Sequence, residues 1–295
     1  MGRSYLLGIG AVLIWSTMAA LVKALLADIP SLEALAISGA FAFVFMLVVC
    51  LARGGARKIR ALRPRDFLVM AGLGFLGLFL YSALYYYGID QLTSQEACIL
   101  NYLWPAMIVL FAAPVLRERL TPMKVVALAC SFAGVVVLSL GTDGGAAVGG
   151  NRVAGIAACI AAAACYGLFS VLNKKKDYDQ TVAMTVIWLV VTACSTILGL
   201  ATEEWVPIEG AQWPGILWLG LGTDAAAYLL WALAVNSARD SAAIANIAYL
   251  TPFLSLIVSA LTLGEQIAPT ALVALVLIVG GILLQALHAR RSGSG

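Results

Sequence analysis

The sequence predicts an all-α membrane protein of ten transmembrane helices, built as two inverted five-helix repeats around a central cavity. Three observations predict it: too few charged residues to coat a soluble surface, ten apolar runs of membrane-spanning length joined by short connections, and self-similarity at a fixed shift of 147 positions.

Of 295 residues, 62% are hydrophobic and 11% charged, with a mean hydropathy of +0.98. A soluble domain carries about 25% charged residues, so water is not this chain's main solvent. At about 20 apolar residues per crossing, the length is filled by ten spans and leaves no room for a soluble domain. All six cysteines, Cys50, Cys98, Cys130, Cys159, Cys165 and Cys194, fall inside apolar runs without CxxC spacing and read as small hydrophobes between helices. The single histidine, His288, has no cysteine or histidine cluster near it, which argues against a metal site. No cofactor and no nucleic-acid partner is expected, and residues 292–295 read as a linker-like tail outside the fold.

The apolar runs fall at about 4–26, 31–53, 66–89, 93–114, 121–140, 153–174, 181–201, 213–236, 242–262 and 268–288. They are spans 1 to 10 below. The first follows Arg3 but is too long for the apolar core of a signal peptide, and nine more spans follow, so it is retained. Sixteen of the eighteen lysines and arginines fall on one side of the alternating connections, six of them between Arg53 and Arg65. Lys23, Arg152 and the acidic stretch Glu203, Glu204 and Glu209 fall on the other. By the positive-inside rule, both termini are expected in the cytoplasm of a bacterial inner-membrane protein.

A shift of 147 lays Tyr102-Leu103-Trp104-Pro105 on Tyr249-Leu250-Thr251-Pro252, Glu118 on Glu265, Pro122 on Pro269, Gly134 on Gly281, Ser94 on Ser241 and Tyr81 on Tyr228. Spans 3 to 5 thereby match spans 8 to 10. A shift of 151 places Trp15 on Tyr166 and Lys23 on Lys174, a weaker match between spans 1 and 6. Residues 1–147 and 148–291 form the two expected units. Five spans is an odd number, so the second unit enters the membrane from the opposite face. Inverted repeats of this kind recur in secondary transporters, whose halves exchange conformations around a midplane site.

Pro105 and Pro252 lie near the middle of spans 4 and 9, each removing one amide donor and freeing the carbonyl four residues earlier, on Asn101 and Ala248. A freed carbonyl in hydrocarbon needs a partner, so paired breaks at one depth suggest a shared polar cavity; a bend relieved by a nearby hydroxyl is the plainer reading. Asn101 and Asn246, with Ser16, Thr17 and Ser82, place donors and acceptors at membrane depth. They suit a zwitterionic ligand or serve as interhelical hydrogen bonds. Asp224 is the acidic residue deepest in any span, a candidate partner for an ammonium group or a coupling proton, or a group bonded only to its neighbours. Glu96 reads as a cap of span 4 and Lys23 as a snorkelling lysine. Trp15, Tyr81, Tyr85, Tyr102, Trp104, Tyr166, Trp188, Tyr228, Trp231 and Tyr249 lie inside spans, where an interfacial belt does not explain them. Several tyrosines at one depth suit an amphipathic cavity, although packing alone accounts for any single ring. On an unbroken helix Tyr102 and Trp104 point about 200° apart, so both reach one cavity only if the break turns one of them. Gly72, Gly74, Gly77, Gly280 and Gly281 read as close-approach points between helices.

The two five-span units, the tryptophan in span 1 and the Glu-x-x-x-Pro element at Glu118 to Pro122 and Glu265 to Pro269 resemble the drug/metabolite transporter superfamily, within it the ten-helix EamA-type exporters. Leu100-Asn101-Tyr102-Leu103-Trp104-Pro105 resembles the span 4 signature of the YddG-type aromatic amino acid exporters in that family. The resemblance implies a basket-like bundle whose cavity is lined by spans 1, 3, 4, 6, 8 and 9, with spans 5 and 10 peripheral and available for a homodimer contact. It also implies export of amino acids, aromatic ones included, and cavity roles for Tyr81, Tyr85, Tyr102 and Trp104. Tyr166 stands where the resemblance leads one to expect tryptophan.

The expected function is therefore amino acid export by alternating access at a midplane cavity, with a multidrug or other metabolite exporter of the same fold as the alternative. The expected substrate contacts are Trp15, Tyr81, Tyr85, Asn101, Tyr102, Trp104, Pro105, Tyr166, Asp224, Tyr228, Asn246, Tyr249 and Pro252. An intramembrane enzyme is disfavoured: there is no mid-membrane histidine, no HExxH, no Walker A motif and no paired intramembrane carboxylates.

Overall fold

The structure, a computed structural model, describes residues 2–140, 150–174, 178–237 and 246–291. Arg239, Ser241, the start of span 9 at 242 and the tail 292–295 lie outside the described residues, as do the side chains of Asn246 and His288. The chain is all helix and connection among those residues. In order come α1 (Arg3–Leu25), α2 (Ser31–Ala52), α3 (Pro64–Gln91), α4 (Ser94–Leu116), α5 (Pro122–Leu140), α6 (Arg152–Lys174), α7 (Gln180–Thr202), α8 (Trp213–Ala234), α9 (Ile247–Leu263) and α10 (Pro269–Arg291). The first eight are long and apolar enough to cross a membrane; Ile247–Leu263 and, within α10, Pro269–Gly281 are shorter apolar helices.

Packing follows a twofold exchange of the two units. α2 lies along α7 and α5 along α10, each helix paired with its own counterpart. α6 packs on α3 and α4, and α1 packs correspondingly on α8 and α9. At the α5/α10 crossing a Cβ on Gly134 would lie 2.8 Å from the Ala274 carbonyl, and one on Gly281 would lie 2.8 Å from the Ala127 carbonyl. Those two contacts are images of each other under the 147-residue shift, and the backbones meet this closely only because both positions lack a side chain. Gly74 and Gly77 likewise approach α7 at Ile187 and α6 at Phe169, whereas Gly72 and Gly280 face open space and are not close-approach points.

The exits of α4 and α9 also correspond. Arg117 at φ 58° and Gly264 at φ 69° are left-handed residues that stop each helix and turn the chain into Glu118 and Glu265. Arg117 bears a side chain in a conformation that costs about 1 kcal/mol for anything but glycine. Helix starts are capped across the bundle. The Glu203 carboxylate at the end of α7 accepts from Ser31 Oγ (3.1 Å), Leu32 N (3.1 Å) and Glu33 N (3.2 Å) at the start of α2. At the start of α7, Asp179 accepts from Thr181 N (3.0 Å) and Val182 N (3.1 Å) and is held by Lys58 at 2.6 Å, from just beyond α2. The Lys58 ammonium, with the Thr181 hydroxyl, holds the Asp179 carboxyl well below the usual carboxylate range.

Candidate functional site

α4 is broken at Pro105 where the sequence predicts, and the described part of α9 changes from 3₁₀ to α-helix just before Pro252. α4 runs as Ser94–Asn101, turns through Tyr102 and Leu103, and restarts as Trp104–Leu116 with Pro105 in its first turn. The described residues leading into α9 form a tight 3₁₀ turn, Asn246–Leu250, which becomes α-helical at Thr251–Leu263 with Pro252 in its first turn. The carbonyl that Pro252 frees is bonded: the Tyr102 hydroxyl donates to Ala248 O at 2.6 Å. One break thus supplies the partner that the other needs, which ties the two units together at the centre of the bundle.

Two further features accompany the breaks and were not legible in the sequence. α3 carries a π-helical segment over Phe75–Leu80 and α8 one over Trp218–Ala226, overlapping under the 147-residue shift. Such segments widen the helix and leave carbonyls loosely held, and they concentrate at functional positions. α1 is interrupted at Thr17, where the Ser16 and Thr17 hydroxyls donate back to Leu13 O and Ile14 O, both at 2.7 Å. These hydroxyls serve the backbone; neither lines the cavity, although Thr17 Oγ1 also accepts from Trp218 Nε1 at 2.9 Å.

The breaks, the π segments and the α1 interruption surround one cavity of about 110 Å³, lined by side chains from α1, α3, α4, α6, α7, α8 and α9. Trp15, Tyr81, Tyr85, Asn101, Tyr102, Trp104, Tyr166, Asp224 and Tyr228 line it. Pro105, Pro252 and Tyr249 do not: the prolines shape the wall, and Tyr249 packs half-buried against the core. Met18, Leu78, Cys98, Trp188, Thr223, Thr251 and Ser255 line it without having been singled out as contacts. Thr251 and Ser255 were findable, because they follow the α9 break at i, i+4 and so share one face. Trp188 comes from α7, which neither the repeat nor the resemblance places at the cavity.

The aromatic rings form a continuous lining. Tyr81 and Tyr85 stack with centroids 5.9 Å apart, Tyr81 and Tyr166 are 5.1 Å apart, and Trp104 meets Tyr166 edge-on at 5.4 Å. The Tyr102–Leu103 turn swings Tyr102 and Trp104 toward each other, to 6.4 Å, which an unbroken helix forbids. On the far wall Trp15 meets Tyr228 at 5.2 Å and donates to Thr223 O at 3.2 Å. Asn101 Nδ2 donates to the Tyr81 hydroxyl at 3.1 Å, while Thr223 Oγ1 lies 3.3 Å from Asp224 Oδ1. Asn101 Oδ1, Asp224 Oδ2, Trp188 Nε1, Thr251 Oγ1 and Ser255 Oγ are buried without a hydrogen-bond partner. An unpaired group of this kind costs about 1–3 kcal/mol, so the cavity wall holds polar atoms with hydrogen-bonding capacity to spare; Thr251 Oγ1 has the Tyr102 hydroxyl beside it and Ser255 Oγ the Cys98 thiol.

The end of the bundle nearest the α3–α4 turn is clasped. Lys23 does not snorkel outward; its ammonium donates to Ile89 O (2.7 Å) and Asp90 O (2.8 Å), at the close of α3. Glu265 accepts from Ser94 N (2.8 Å), Ser94 Oγ (2.9 Å) and Gln95 N (3.2 Å), at the opening of α4, where the helix dipole favours its charge. The Ser94 and Ser259 hydroxyls are a further 2.6 Å apart. Thr93, not Glu96, caps α4, accepting from Glu96 N at 3.2 Å; the Glu96 carboxylate pairs with Arg152 at 2.8 Å and joins α4 to α6.

The EamA-like transporter family matches this sequence twice, over residues 2–140 and 153–287. The chain belongs to the EamA-like transporter family. The match is duplicated, one copy in each half of the sequence, and the chain is a multi-pass membrane protein of the transporter class. It is 30% identical over 289 residues to the aromatic amino acid exporter YddG of Ancylobacter novellus, covering 97% of this chain and 98% of that one. It is 26% identical over 235 residues to a probable terminal-alkyne amino-acid exporter of Streptantibioticus cattleyicolor, covering 78% and 76%. An uncharacterized Bacillus subtilis transporter, YvbV, is 27% identical over 290 residues, covering 96% and 91%. A solved crystal structure with 27% identity superposes with a TM-score of 0.70 over 98% of both chains.

Proposed function

We propose that this chain exports amino acids, aromatic ones included, across the bacterial cytoplasmic membrane by alternating access, with both termini in the cytoplasm and without enzymatic chemistry. Residues 1–147 and 148–291 are the exchanging units. The observation that carries the reading is the cavity between the two breaks, in which unpaired acceptors and donors face a wall of rings. An amino acid presents an ammonium, a carboxylate and a side chain in fixed relation. The ammonium has acceptors in Asn101 Oδ1 and Asp224 Oδ2, and the carboxylate has donors in Trp188 Nε1, Thr251 Oγ1 and Ser255 Oγ. Tyr81, Tyr85, Tyr102, Trp104 and Tyr166 stack on the side chain. The names of the Ancylobacter and Streptantibioticus relatives support the same substrate class.

At about 110 Å³ the cavity is smaller than the roughly 300–1,000 Å³ of ordinary ligand sites, so loading requires α3, α4, α8 and α9 to move. Their breaks and π segments are the hinges, because the backbone there already departs from α-helical bonding. On the orientation given by the arginine and lysine distribution, the Lys23 and Glu265 clasp closes the periplasmic end, and its release opens the cavity outward. A homodimer through the exposed faces of α5 and α10 is compatible with this motion. A multidrug exporter is the second reading, favoured by the same rings and Asp224, which also suit an aromatic cation. Proteoliposomes loaded with labelled Trp, Phe or Thr, and separately with a planar aromatic cation, discriminate the two. Protein-dependent flux of an amino acid is expected; flux of the cation alone defeats the amino acid assignment.

A further inference from the structure

Away from the central cavity, α2, α3 and α7 frame a groove of about 560 Å³ on the outer surface of the bundle. Phe43, Leu47, Phe67, Val182, Val186 and Leu189 lie among its lining, and Thr185 is its single hydroxyl. That hydroxyl is spent on its own helix, donating to Thr181 O at 2.8 Å. Water gains nothing in such a space, since a water needs two or more polar partners. Phe67 (39% exposed) and Leu68 (68% exposed) place one rim on the outside of the protein, open to hydrocarbon.

One end of the groove has a distinct chemistry. Ile59, Leu62 and Pro64 turn inward to close it, and the residues between and beside them are Lys58, Arg60, Arg63 and Arg65. With Arg53 and Arg57, these make six exposed cations in thirteen residues, 53 to 65, and no acid falls within them. Among the described residues Lys58 alone of the six is in an ion pair, with Asp179. The arrangement is an apolar slot whose closing residues alternate along the chain with exposed arginines.

We propose that this groove holds an acyl chain of an anionic diacyl phospholipid whose phosphate is bound by Arg60, Arg63 and Arg65. Guanidinium forks match phosphodiester oxygens bidentately, and basic pockets between membrane helices select anionic head groups. A zwitterionic head group would present its own cation to these arginines, so charge sets the preference. The apolar slot explains why a free phosphate would not suffice: the buried methylenes supply the rest of the affinity.

Native mass spectrometry of the full chain in detergent tests this, with phosphatidylglycerol and phosphatidylcholine of identical acyl chains added in equal amounts. Preferential retention of phosphatidylglycerol by about tenfold is expected. Arg60→Gln/Arg63→Gln/Arg65→Gln, all exposed and at or just before the start of α3, should reduce that ratio to near one. Leu189→Trp, which fills the groove, should reduce retention of both lipids, and unchanged far-ultraviolet circular dichroism shows that each variant is folded. Equal retention by the wild type, a ratio unchanged in the triple variant, retention unchanged in Leu189→Trp, or displacement of the lipid by glycerol phosphate would each overturn the proposal.

Discussion

Tyr102→Phe tests the central contact between the two repeats. The substitution keeps the ring and removes only the hydroxyl that donates to Ala248 O at 2.6 Å. Because Pro252 has no amide hydrogen, that carbonyl lacks the α-helical donor four residues on and keeps within its own helix only the poorer three-residue bond of the 3₁₀ turn. Hydrogen bonds between membrane helices average about 0.6 kcal/mol with a maximum near 1.7. A loss of about 1 kcal/mol is therefore expected from Tyr102→Phe. Pro252→Ala restores an N–H four residues after Ala248, so in that background the carbonyl regains a partner. Tyr102→Phe should then cost below about 0.5 kcal/mol, and the difference is the coupling between the two positions. The assay is reversible unfolding of the four proteins of the cycle in mixed detergent micelles. Equal costs in both backgrounds would refute the reasoning, because the hydroxyl would then not be answering the missing amide.

Glu265→Ala removes three contacts at the opening of α4 and should loosen the clasp by about 1–2 kcal/mol. Ser94→Cys, buried in the parent, should then react with a bulky maleimide several-fold faster in the Glu265→Ala background than without it. Arg117→Gly should stabilise the chain by up to about 1 kcal/mol, as read by its thermal midpoint, because glycine already holds the equivalent position at Gly264. The Asp179 carboxyl is depressed by Lys58, so its contribution is present above the unfolded value near 3.9 and is lost as pH falls below that. Asp179→Asn should flatten the fall in stability between about pH 4 and pH 2, and should cost up to about 1 kcal/mol at pH 7 through the lost Lys58 pair, since asparagine still caps the helix.

What could be read in advance is what the backbone chemistry of single residues dictates. Pro105 and Pro252 have to break their helices, and their equivalence under the 147-residue shift puts both breaks at one depth. Tyr81, Tyr85, Asn101, Tyr102, Trp104, Tyr166, Asp224 and Tyr228 follow from polar or amphipathic groups at that depth, and the structure gathers them around the cavity. The π segments of α3 and α8 contain no proline and differ from ordinary helix only in hydrogen-bond register, which tertiary packing decides. Long-range contacts were hidden for a similar reason. Glu265 reads as a loop glutamate until Ser94, 171 positions away, is seen beneath it, and Lys23 reads as a snorkelling lysine until the end of α3 meets it. Trp188 reaches the cavity from α7 because α7 packs against the π segment of α3, a contact no sequence pattern announces.

Counterflow tests the whole account most directly. Proteoliposomes preloaded with unlabelled tryptophan and diluted into trace labelled tryptophan should accumulate label transiently and saturably, and Ser255→Trp, which fills the cavity, should abolish the overshoot. A linear, non-saturable entry, or an overshoot unchanged in Ser255→Trp, would contradict a carrier that works through this site.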